Sequence, residues 1–217
     1  GYLPGEIAFI DTMNGMEFIR FIARMKKMKD LGRAPELMEM FELNPSGKLK
    51  KMSKGMKQKI GIVCAFMQDP KLLILDEPTS GLDPLMQNKF VELILQEKKR
   101  GKTILMSSHS FEEVEKTCDR AAIIRGGKLV AVEEMERLRT GRKKIVQLEL
   151  ETAGMASDLA DGFPGAGLQE RTVTVKVGKD VDLLIKKASQ YKVLDMDIRT
   201  QSLEEFFMHF YGGEENV

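Results

Sequence analysis

The stretch KLLILDEPTSGLD, residues 71–83, constrains the fold of this chain more than any other part of its sequence. Four consecutive apolar residues lead directly into Asp76 and Glu77, and Pro78 follows at once. Such a run is typical of a short strand that is buried on both faces of a parallel sheet. Ligands of open α/β sheets bind at the carboxyl ends of the strands. The stretch therefore predicts a parallel-sheet core with two adjacent carboxylates at its binding edge.

A helix is predicted just upstream of this strand. Ser53 is a good N-cap, and apolar residues recur after it at helical spacing: Met56, Ile60, Val63, Cys64 and Met67. The N-terminus of this helix presents the Ser53 hydroxyl, the Lys54 side chain and the bare backbone of Gly55. Helix N-termini attract anions, so this segment is a candidate phosphate contact.

These segments resemble known motifs. MSKGMKQK followed by LLILDEPTSGLD resembles the signature motif, Walker B strand and D-loop of ABC transporter ATPases, and ILMSSHSFEEVEKTCDRAAIIRGGKLV resembles their switch-histidine segment. The resemblance covers roughly residues 1–132, and three motifs in this order and spacing are highly specific. SLEEFFMHFY, residues 202–211, resembles the closing helix of ATPase subunits from drug and antibiotic exporters.

The resemblance implies ATP and Mg²⁺ as cofactors and assigns roles to individual residues. Glu77 would polarise the water that attacks the γ-phosphate, His109 would sense that phosphate, and Asp76 would hold Mg²⁺ through a coordinated water. Met56 and Lys54 replace two residues of the family's common L-S-G-G-Q. The expected nucleotide contacts come from the signature motif and the D-loop: Ser53, Lys54, Gly55, Met56 and Asp83.

The first residues, GYLPGEIAFIDTMNG, resemble the family's Q-loop region. The printed sequence contains no G-x-x-x-x-G-K-[ST] phosphate-binding loop. We therefore expect an N-terminally truncated chain that begins after the Walker A loop and is inactive alone. Where the family carries its Gln, this sequence offers Gly5 or Glu6. Glu6 is a further candidate for the Mg²⁺ site, and a solvated loop residue is the alternative reading.

The predicted fold is α/β, with a P-loop NTPase-type (RecA-like) parallel sheet that lacks its N-terminal part, a helical subdomain, and a small C-terminal α+β domain. Residues 145–217 form that accessory domain, for which a ferredoxin-like fold is one option, and 153–167 are expected to be loop with one helical turn. The remaining predicted boundaries are 1–136 for the partial ATPase domain, about 13–60 for its helical subdomain, 61–132 for its catalytic core and 137–144 for a linker.

Composition narrows the range of partners. The 217 residues carry a formal net charge of +1, so the chain as a whole has no electrostatic attraction to nucleic acid or membrane. The two cysteines are not in a C-x-x-C pair, and no apolar run approaches the about 20 residues that span a bilayer. We expect a cytoplasmic protein that lies at the inner face of the membrane through a partner and binds no nucleic acid.

The leading hypothesis is the ATP-hydrolysing subunit of an ABC exporter, paired with a separate transmembrane permease and acting as a homodimer of nucleotide-binding domains. A soluble ABC-type ATPase acting on ribosomes or DNA, and a non-catalytic fragment, are the alternatives. By resemblance, the phosphate-loop strand would lie between the strand that ends at His109 and the strand at 122–124. Without it we expect self-association, strand exchange or local rearrangement.

Overall fold

The computed structural model describes residues 1–178 and 181–211. The chain divides into two compact units, Gly1–Thr117 and Cys118–Val217. Each unit has its own secondary structure and core, and each is considered by itself. No helix within the described residues is both long enough and apolar enough to cross a bilayer.

The first unit is built on a three-stranded parallel sheet, as the sequence predicts. Its strands are β1 (Tyr2–Leu3), β2 (Leu72–Asp76) and β3 (Thr103–Ser107), in the order β1-β2-β3. Asp76 and Ser107 are neighbours in the ladder, so β2 and β3 end at the same edge of the sheet. Among the described residues, β3 pairs with β2 alone and forms one border of the sheet.

Five α-helices accompany this sheet in the first unit. Side chains of Asn14, Ser53 and Asp83 cap the beginnings of three of them. The helices are α1 (Gly15–Met25), α2 (Ala34–Met40), α3 (Lys54–Phe66), α4 (Pro84–Lys99) and α5 (Phe111–Thr117), with a short 3₁₀ turn at Leu49–Lys51. Asn14 and Glu17 form a capping box at the start of α1. Ser53 caps α3, and Asp83 caps α4 just before Pro84.

The prediction that β2 is buried on both faces is wrong. Leu73 and Leu75 are buried, but Leu72 and Ile74 are 49% and 42% exposed. Ile74 stands opposite Tyr2 and Leu105 in the ladder, and both of those side chains are also exposed. The described helices therefore cover one face of the sheet. The sequence is apolar at both alternating sets of positions, so it predicts burial on both faces, whereas the exposure of one face depends on which other elements cover the sheet.

A buried carboxylate connects several elements of the first unit. Glu97 on α4 has a fully buried side chain, and its Oε1 lies 2.7 Å from Arg33 Nη1, just before α2, and 3.1 Å from Arg100 Nη1. Lys102, which precedes β3, is paired with the other carboxylate oxygen of Glu97. Asp69, in the turn before β2, also lies within ion-pair distance of Arg33, Arg100 and Lys102. The cluster joins the helical part of the unit to its sheet.

The second unit contains an antiparallel hairpin and a four-stranded antiparallel sheet. The sheet has the order β7-β8-β6-β9, and its elements follow one another as β-α-β-β-α-β, which is the ferredoxin-like arrangement. The predicted small α+β domain is confirmed. Its elements are β4 (Arg120–Arg125), β5 (Lys128–Glu134), α6 (Met135–Gly141), β6 (Lys144–Leu150), α7 (Ala153–Asp161), β7 (Gly167–Gln169), β8 (Thr172–Val177), α8 (Val181–Ala188), β9 (Val193–Thr200) and α9 (Leu203–Tyr211).

Two stretches of this unit differ from the predictions. The expected linker at 137–144 is helix α6 as far as Gly141, because Met135 and Leu138 both bury their side chains. The expected loop after residue 152 contains the nine-residue helix α7, which Thr152 caps by accepting a hydrogen bond from the Met155 amide. The ATPase domain was predicted to end at residue 136, but the boundary between the units lies before the β4–β5 hairpin. The two strands of this hairpin pair with each other and form a separate sheet.

Candidate functional site

The carboxyl ends of β2 and β3 hold the Asp76 carboxylate between two donors. Ser107 Oγ donates to Asp76 Oδ1 at 2.5 Å, and the Gly5 amide donates to Asp76 Oδ2 at 3.3 Å. Ser107 Oγ also accepts a hydrogen bond from the Glu77 amide at 3.1 Å. The strand-end hydroxyl of Ser107 therefore orients both adjacent acids, a role that the sequence analysis missed although the position of Ser107 at the end of a predicted strand pointed to it.

Of the two residues considered at the family's Gln position, Gly5 is the one in contact with Asp76. A Cβ atom on Gly5 would lie 3.0 Å from Asp76 Oδ2, so a larger residue here would require the carboxylate to shift by a few tenths of an ångström. The Glu6 side chain is exposed to solvent. A role for Glu6 at the Mg²⁺ site therefore stays a prediction.

Glu77 and His109 face each other across the same edge of the sheet. His109 Nδ1 lies 2.6 Å from Glu77 Oε2. The His109 side chain is 81% exposed and that of Glu77 is 32% exposed, so a ligand can reach both. Glu77 has a φ of 45°, in the left-handed region that non-glycine residues seldom adopt. Strained backbone of this kind clusters at functional sites.

A buried glutamine connects α3 to the Glu77 segment. Gln58 Nε2 donates to the Pro78 carbonyl at 2.8 Å and lies 3.4 Å from the Glu77 carbonyl. Gln58 is only 4% exposed, in a helix whose other inward residues are apolar. The sequence analysis missed this residue. A polar residue inside a predicted apolar stripe was the available signal, because buried amides require hydrogen-bond partners.

The signature segment lies against the D-loop of the same chain. Lys54 Nζ donates to Ser80 Oγ at 2.9 Å, and a Cβ atom on Gly55 would lie 2.7 Å from the Gly81 carbonyl oxygen. Gly81 itself has a φ of 79°. Three residues that were predicted to contact the nucleotide, Ser53, Met56 and Asp83, form hydrogen bonds within the chain. Ser53 Oγ accepts a hydrogen bond from the Met56 amide at 3.2 Å, and Asp83 Oδ1 accepts one from the Met86 amide at 3.0 Å.

A second buried acid joins the D-loop to the switch-histidine segment. Glu113 Oε2 accepts hydrogen bonds from Ser108 Oγ at 2.5 Å and from Thr79 Oγ1 at 3.3 Å. Burial raises the pKa of the Glu113 carboxyl, and the nearby charge of Glu77 adds to this effect. Oε1 of Glu113 is buried without a hydrogen-bond partner among the described residues. No local pattern distinguishes Glu113, which is buried, from the other acids of α5.

The structure thus brings Asp76, Glu77 and His109 together at one edge of the sheet. No cluster of three or more His, Cys, Asp or Glu that could hold a metal occurs in the described part of the chain. Mg²⁺ keeps several waters and usually takes one or two carboxylates together with substrate phosphates. Asp76 suits such a water-mediated role. The residues present do not form a binding site for the triphosphate, since the sequence contains no phosphate-binding loop.

Comparison with known proteins identifies a consistent set of relatives. A family model described as an AAA domain, which also names the AbiEii toxin of a Type IV TA system, matches residues 13–115. The ABC transporter ATP-binding protein YdbJ of Bacillus subtilis is 32% identical over 96% of this chain and 71% of its own length. The corresponding protein all4389 of Nostoc sp. is 33% identical over 96% of this chain and 65% of its own length. The linearmycin resistance ATP-binding protein LnrL of Bacillus subtilis is 37% identical over 68% of this chain. The chain spans about two thirds of all4389 and half of LnrL.

Solved structures show the same likeness. An ATP-binding subunit of an ABC transporter is 33% identical, with a TM-score of 0.58, and the match covers 64% of this chain and 61% of that one. The ATP-binding cassette MJ0796, solved as a dimer with ADP and Pi, has a TM-score of 0.56 at 21% identity, covering 62% of each chain. At that identity the second match supports the fold alone, and it agrees with the predicted P-loop NTPase type.

Proposed function

Because the chain belongs to the family of ABC transporter ATP-binding proteins, we propose that it forms part of an ATP-hydrolysing subunit that drives an exporter through a separate transmembrane permease. The Glu77–His109 pair carries this proposal, because an acid and an imidazole within 2.6 Å at the end of a parallel strand suit general-base chemistry. The name of LnrL, a resistance protein, supports export of an antibiotic-like substrate.

The proposed chemistry assigns one task to each strand-end residue. Bound ATP with Mg²⁺ supplies the phosphoryl group that water attacks. Glu77 orients that water and accepts its proton, and His109 holds the Glu77 carboxylate in place and reaches toward the γ-phosphate. Asp76, which is held by Ser107 and the Gly5 amide, would bind Mg²⁺ through a water, and the ion would neutralise charge on the phosphates. The phosphate cradle would come from a segment outside the printed sequence.

The signature segment would serve the second copy of a homodimer. In this arrangement Ser53, Lys54, Gly55 and Met56 contact the nucleotide held by the other copy, and Asp83 lies at the same interface. Support comes from exposure, since Ser53, Lys54 and Asp83 are all exposed in this chain. Closure would exclude water and complete a transition state that is stabilised mainly by electrostatics.

A groove on the helical part of the first unit suits the permease. The cavity, of about 760 Å³, has both apolar and charged side chains in its lining: Met13, Glu17, Arg20, Ala23, Arg24, Met28, Lys29, Asp30 and Leu31. Met25, at the end of α1, is 68% exposed. Methionine-rich surfaces adapt to a docking helix. Docking here would place the subunit peripherally at the cytoplasmic face of the membrane.

The test is a Mg-ATP titration of this chain beside a version extended upstream by a phosphate-binding loop segment. Only the extended version is expected to bind and hydrolyse ATP. Glu77→Gln in that version should keep ATP binding and lower turnover by at least a hundredfold, as loss of a general base does. The matched control is Glu92→Gln, an exposed glutamate on α4, which should leave turnover unchanged.

Two results would contradict the proposal. Equal turnover of Glu77→Gln and Glu92→Gln would remove Glu77 from the chemistry. Tight ATP binding by the printed chain alone would show that other residues form its phosphate site.

A further inference from the structure

The outer edge of β9 is an open strand edge in the second unit. Among residues 118–178 and 181–211, β9 pairs with β6 alone, and all eight of its residues, Val193–Thr200, are exposed. It contains no proline, but its register shifts between Val193 and Asp195, where Leu194 is an extra residue. Long open edges are templates for pairing with another strand, and bulges and charged side chains oppose such pairing. The charges of β9, Asp195, Asp197 and Arg199, are of both signs, so they can form opposite-charge pairs with a suitable second strand.

The side chains of β9 that continue the core face of the sheet are apolar, but they are exposed to solvent. Met196 and Ile198 stand opposite Leu148 and Val146, which are 1% and 2% exposed. Met196 and Ile198 themselves are 54% and 51% exposed. Leu194, two residues before Met196, is 49% exposed on the same face. The hydrophobic layer of the sheet therefore continues to its border without being covered there.

Helix α8 extends this apolar surface. Leu184 and Ala188 are its buried residues, and Lys187 donates to the Gly162 carbonyl at the end of α7. At 100° per residue, Val181 and Ile185 lie on the flank of α8 opposite to Lys187. Both are partly or largely exposed. The apolar border of the sheet and this flank of α8 are named the β9 edge here.

We propose that the β9 edge binds the β9 edge of a second copy of this chain, as two antiparallel strands that join the sheets of the two copies. The apolar residues of β9 choose the register. Centred on Asp197, the pairing places Met196 opposite Ile198 of the second copy, and Asp195 opposite Arg199 of the second copy, twice each by symmetry. Cross-strand apolar pairs and opposite charges both stabilise a sheet.

The two neighbouring registers are less favourable. Centred on Ile198, the pairing would place Asp197 opposite Arg199 of the second copy but Met196 opposite Thr200, so both apolar pairs between Met196 and Ile198 would be lost. Centred on Met196, the pairing would place Asp195 opposite Asp197 of the second copy twice, and like charges directly opposite each other are destabilising. Arg199 is already fixed beside the strand, since its Nη1 and Nη2 each lie 2.8 Å from the Glu205 carboxylate. In the proposed register a single like-charge contact remains, between the two copies of Asp197.

This pairing uses no residue of the proposed nucleotide site and requires no nucleotide. It is therefore separate from the head-to-tail dimer under "Proposed function", and either can fail without the other. In a complete subunit it would keep two copies together when no ATP is bound.

The first test measures self-association of the whole chain without nucleotide, by sedimentation velocity. The wild-type chain is expected to dimerise, and Met196→Lys should weaken the dimer at least tenfold, because lysine on an edge strand opposes pairing. Leu168→Lys is the matched control, since Leu168 is 45% exposed on the other edge strand, β7, and faces the same side as the core residue Val173. If the wild-type chain remains a monomer at about 100 μM, its dissociation constant is weaker than that of a specific interface, and the proposal is overturned. Equal weakening of the dimer in both variants would also overturn it.

A second test examines the register, and its first substitution is expected to strengthen the dimer instead of weakening it. Asp197→Asn removes the remaining like-charge contact and should tighten the dimer about threefold. In a Cys118→Ser background, Asp197→Cys should form an intermolecular disulfide on mild oxidation, because directly opposed Cα atoms at about 4.5–5.5 Å suit a disulfide. Leu168→Cys in the same background should remain a monomeric thiol. Weaker association of Asp197→Asn, or equal crosslinking of the two cysteine variants, would refute pairing centred on Asp197.

Discussion

The buried carboxylate of Glu97 gives the sharpest prediction for the first unit. Glu97→Gln keeps the shape of the side chain and removes its charge, so Arg33 and Lys102 lose their shared partner. Their side chains are only 17% and 7% exposed, and removal of one member of a buried ion pair costs about 3–5 kcal/mol. Asp69 remains beside both cations and compensates in part. We therefore expect the free energy of unfolding of the first unit to fall by about 3 kcal/mol, the lower end of that range.

The assay has to separate the two units, because two compact units do not guarantee a single unfolding transition. Hydrogen exchange read by mass spectrometry, with urea titration, reports peptides of each unit separately. The loss should appear in α4 and β3 and be absent from the β6–β9 sheet. Glu112→Gln is the matched control, since its ion pair with Lys116 is 2.6 Å long but exposed to solvent, and its loss should leave the stability of the first unit nearly unchanged. Equal effects of the two substitutions would refute the reasoning.

The same residue predicts a pH dependence. Burial alone would raise the pKa of the Glu97 carboxyl, but the hydrogen bonds from Lys102 and Arg33 outweigh it and hold that pKa below the ordinary value of 4.5. A carboxyl with a lowered folded-state pKa stabilises the fold above the unfolded-state pKa, and this stabilisation is lost as the pH falls through the folded-state value. Acid should therefore destabilise the wild-type first unit more than Glu97→Gln below about pH 4.5. Parallel pH profiles would contradict this.

Three further substitutions test the loops around the site. Gln58→Ala should cost the first unit about 1–3 kcal/mol in urea denaturation, because it leaves a buried backbone carbonyl unpaired; a change below about 0.5 kcal/mol would show that water replaces the amide. Gly55→Ala places a Cβ atom 2.7 Å from the Gly81 carbonyl and should raise amide exchange in the D-loop, whereas Gly141→Ala, in open space, should not; unchanged exchange in both would contradict the close packing. Glu113 has a raised pKa, so the free energy of unfolding of the wild-type chain should fall relative to Glu113→Gln as the pH rises above about 4.5, and a rise instead would show that the carboxyl is stabilised in its charged form.

The segments that could be predicted from the sequence are those whose structure depends on local chemistry. The strand before Asp76 and the helix after Ser53 have their beginnings and ends marked by Pro78 and by an N-cap hydroxyl, and the structure places both as expected. Because parallel strands end at one edge, the acids at the end of β2 and the histidine after β3 lie close together, and Glu77 and His109 are in contact. Their catalytic roles remain predictions.

The residues that sequence reasoning missed owe their importance to distant partners. Glu97 lies 64 residues from Arg33, and Gln58 lies 20 residues from Pro78, so no local pattern distinguishes them from exposed neighbours. Helix α7 was missed for another reason, because its alanines and glycines resemble a loop in composition while its cap and two buried residues decide the structure. Burial on one or two faces of β2 likewise depends on what covers the sheet.

Because the backbone of Glu77 is left-handed, the proposed chemistry and the stability of the fold favour different residues at this position. Glycine or asparagine adopts a φ of 45° more easily than glutamate does, so either replacement should relax the loop by about 1 kcal/mol while it abolishes the acid. Stability alone would therefore favour such a replacement, whereas the proposed general base requires the glutamate. In copies of the gene that no longer need to hydrolyse ATP, Glu77 should be among the first site residues to drift, and Gly and Asn should be its commonest replacements.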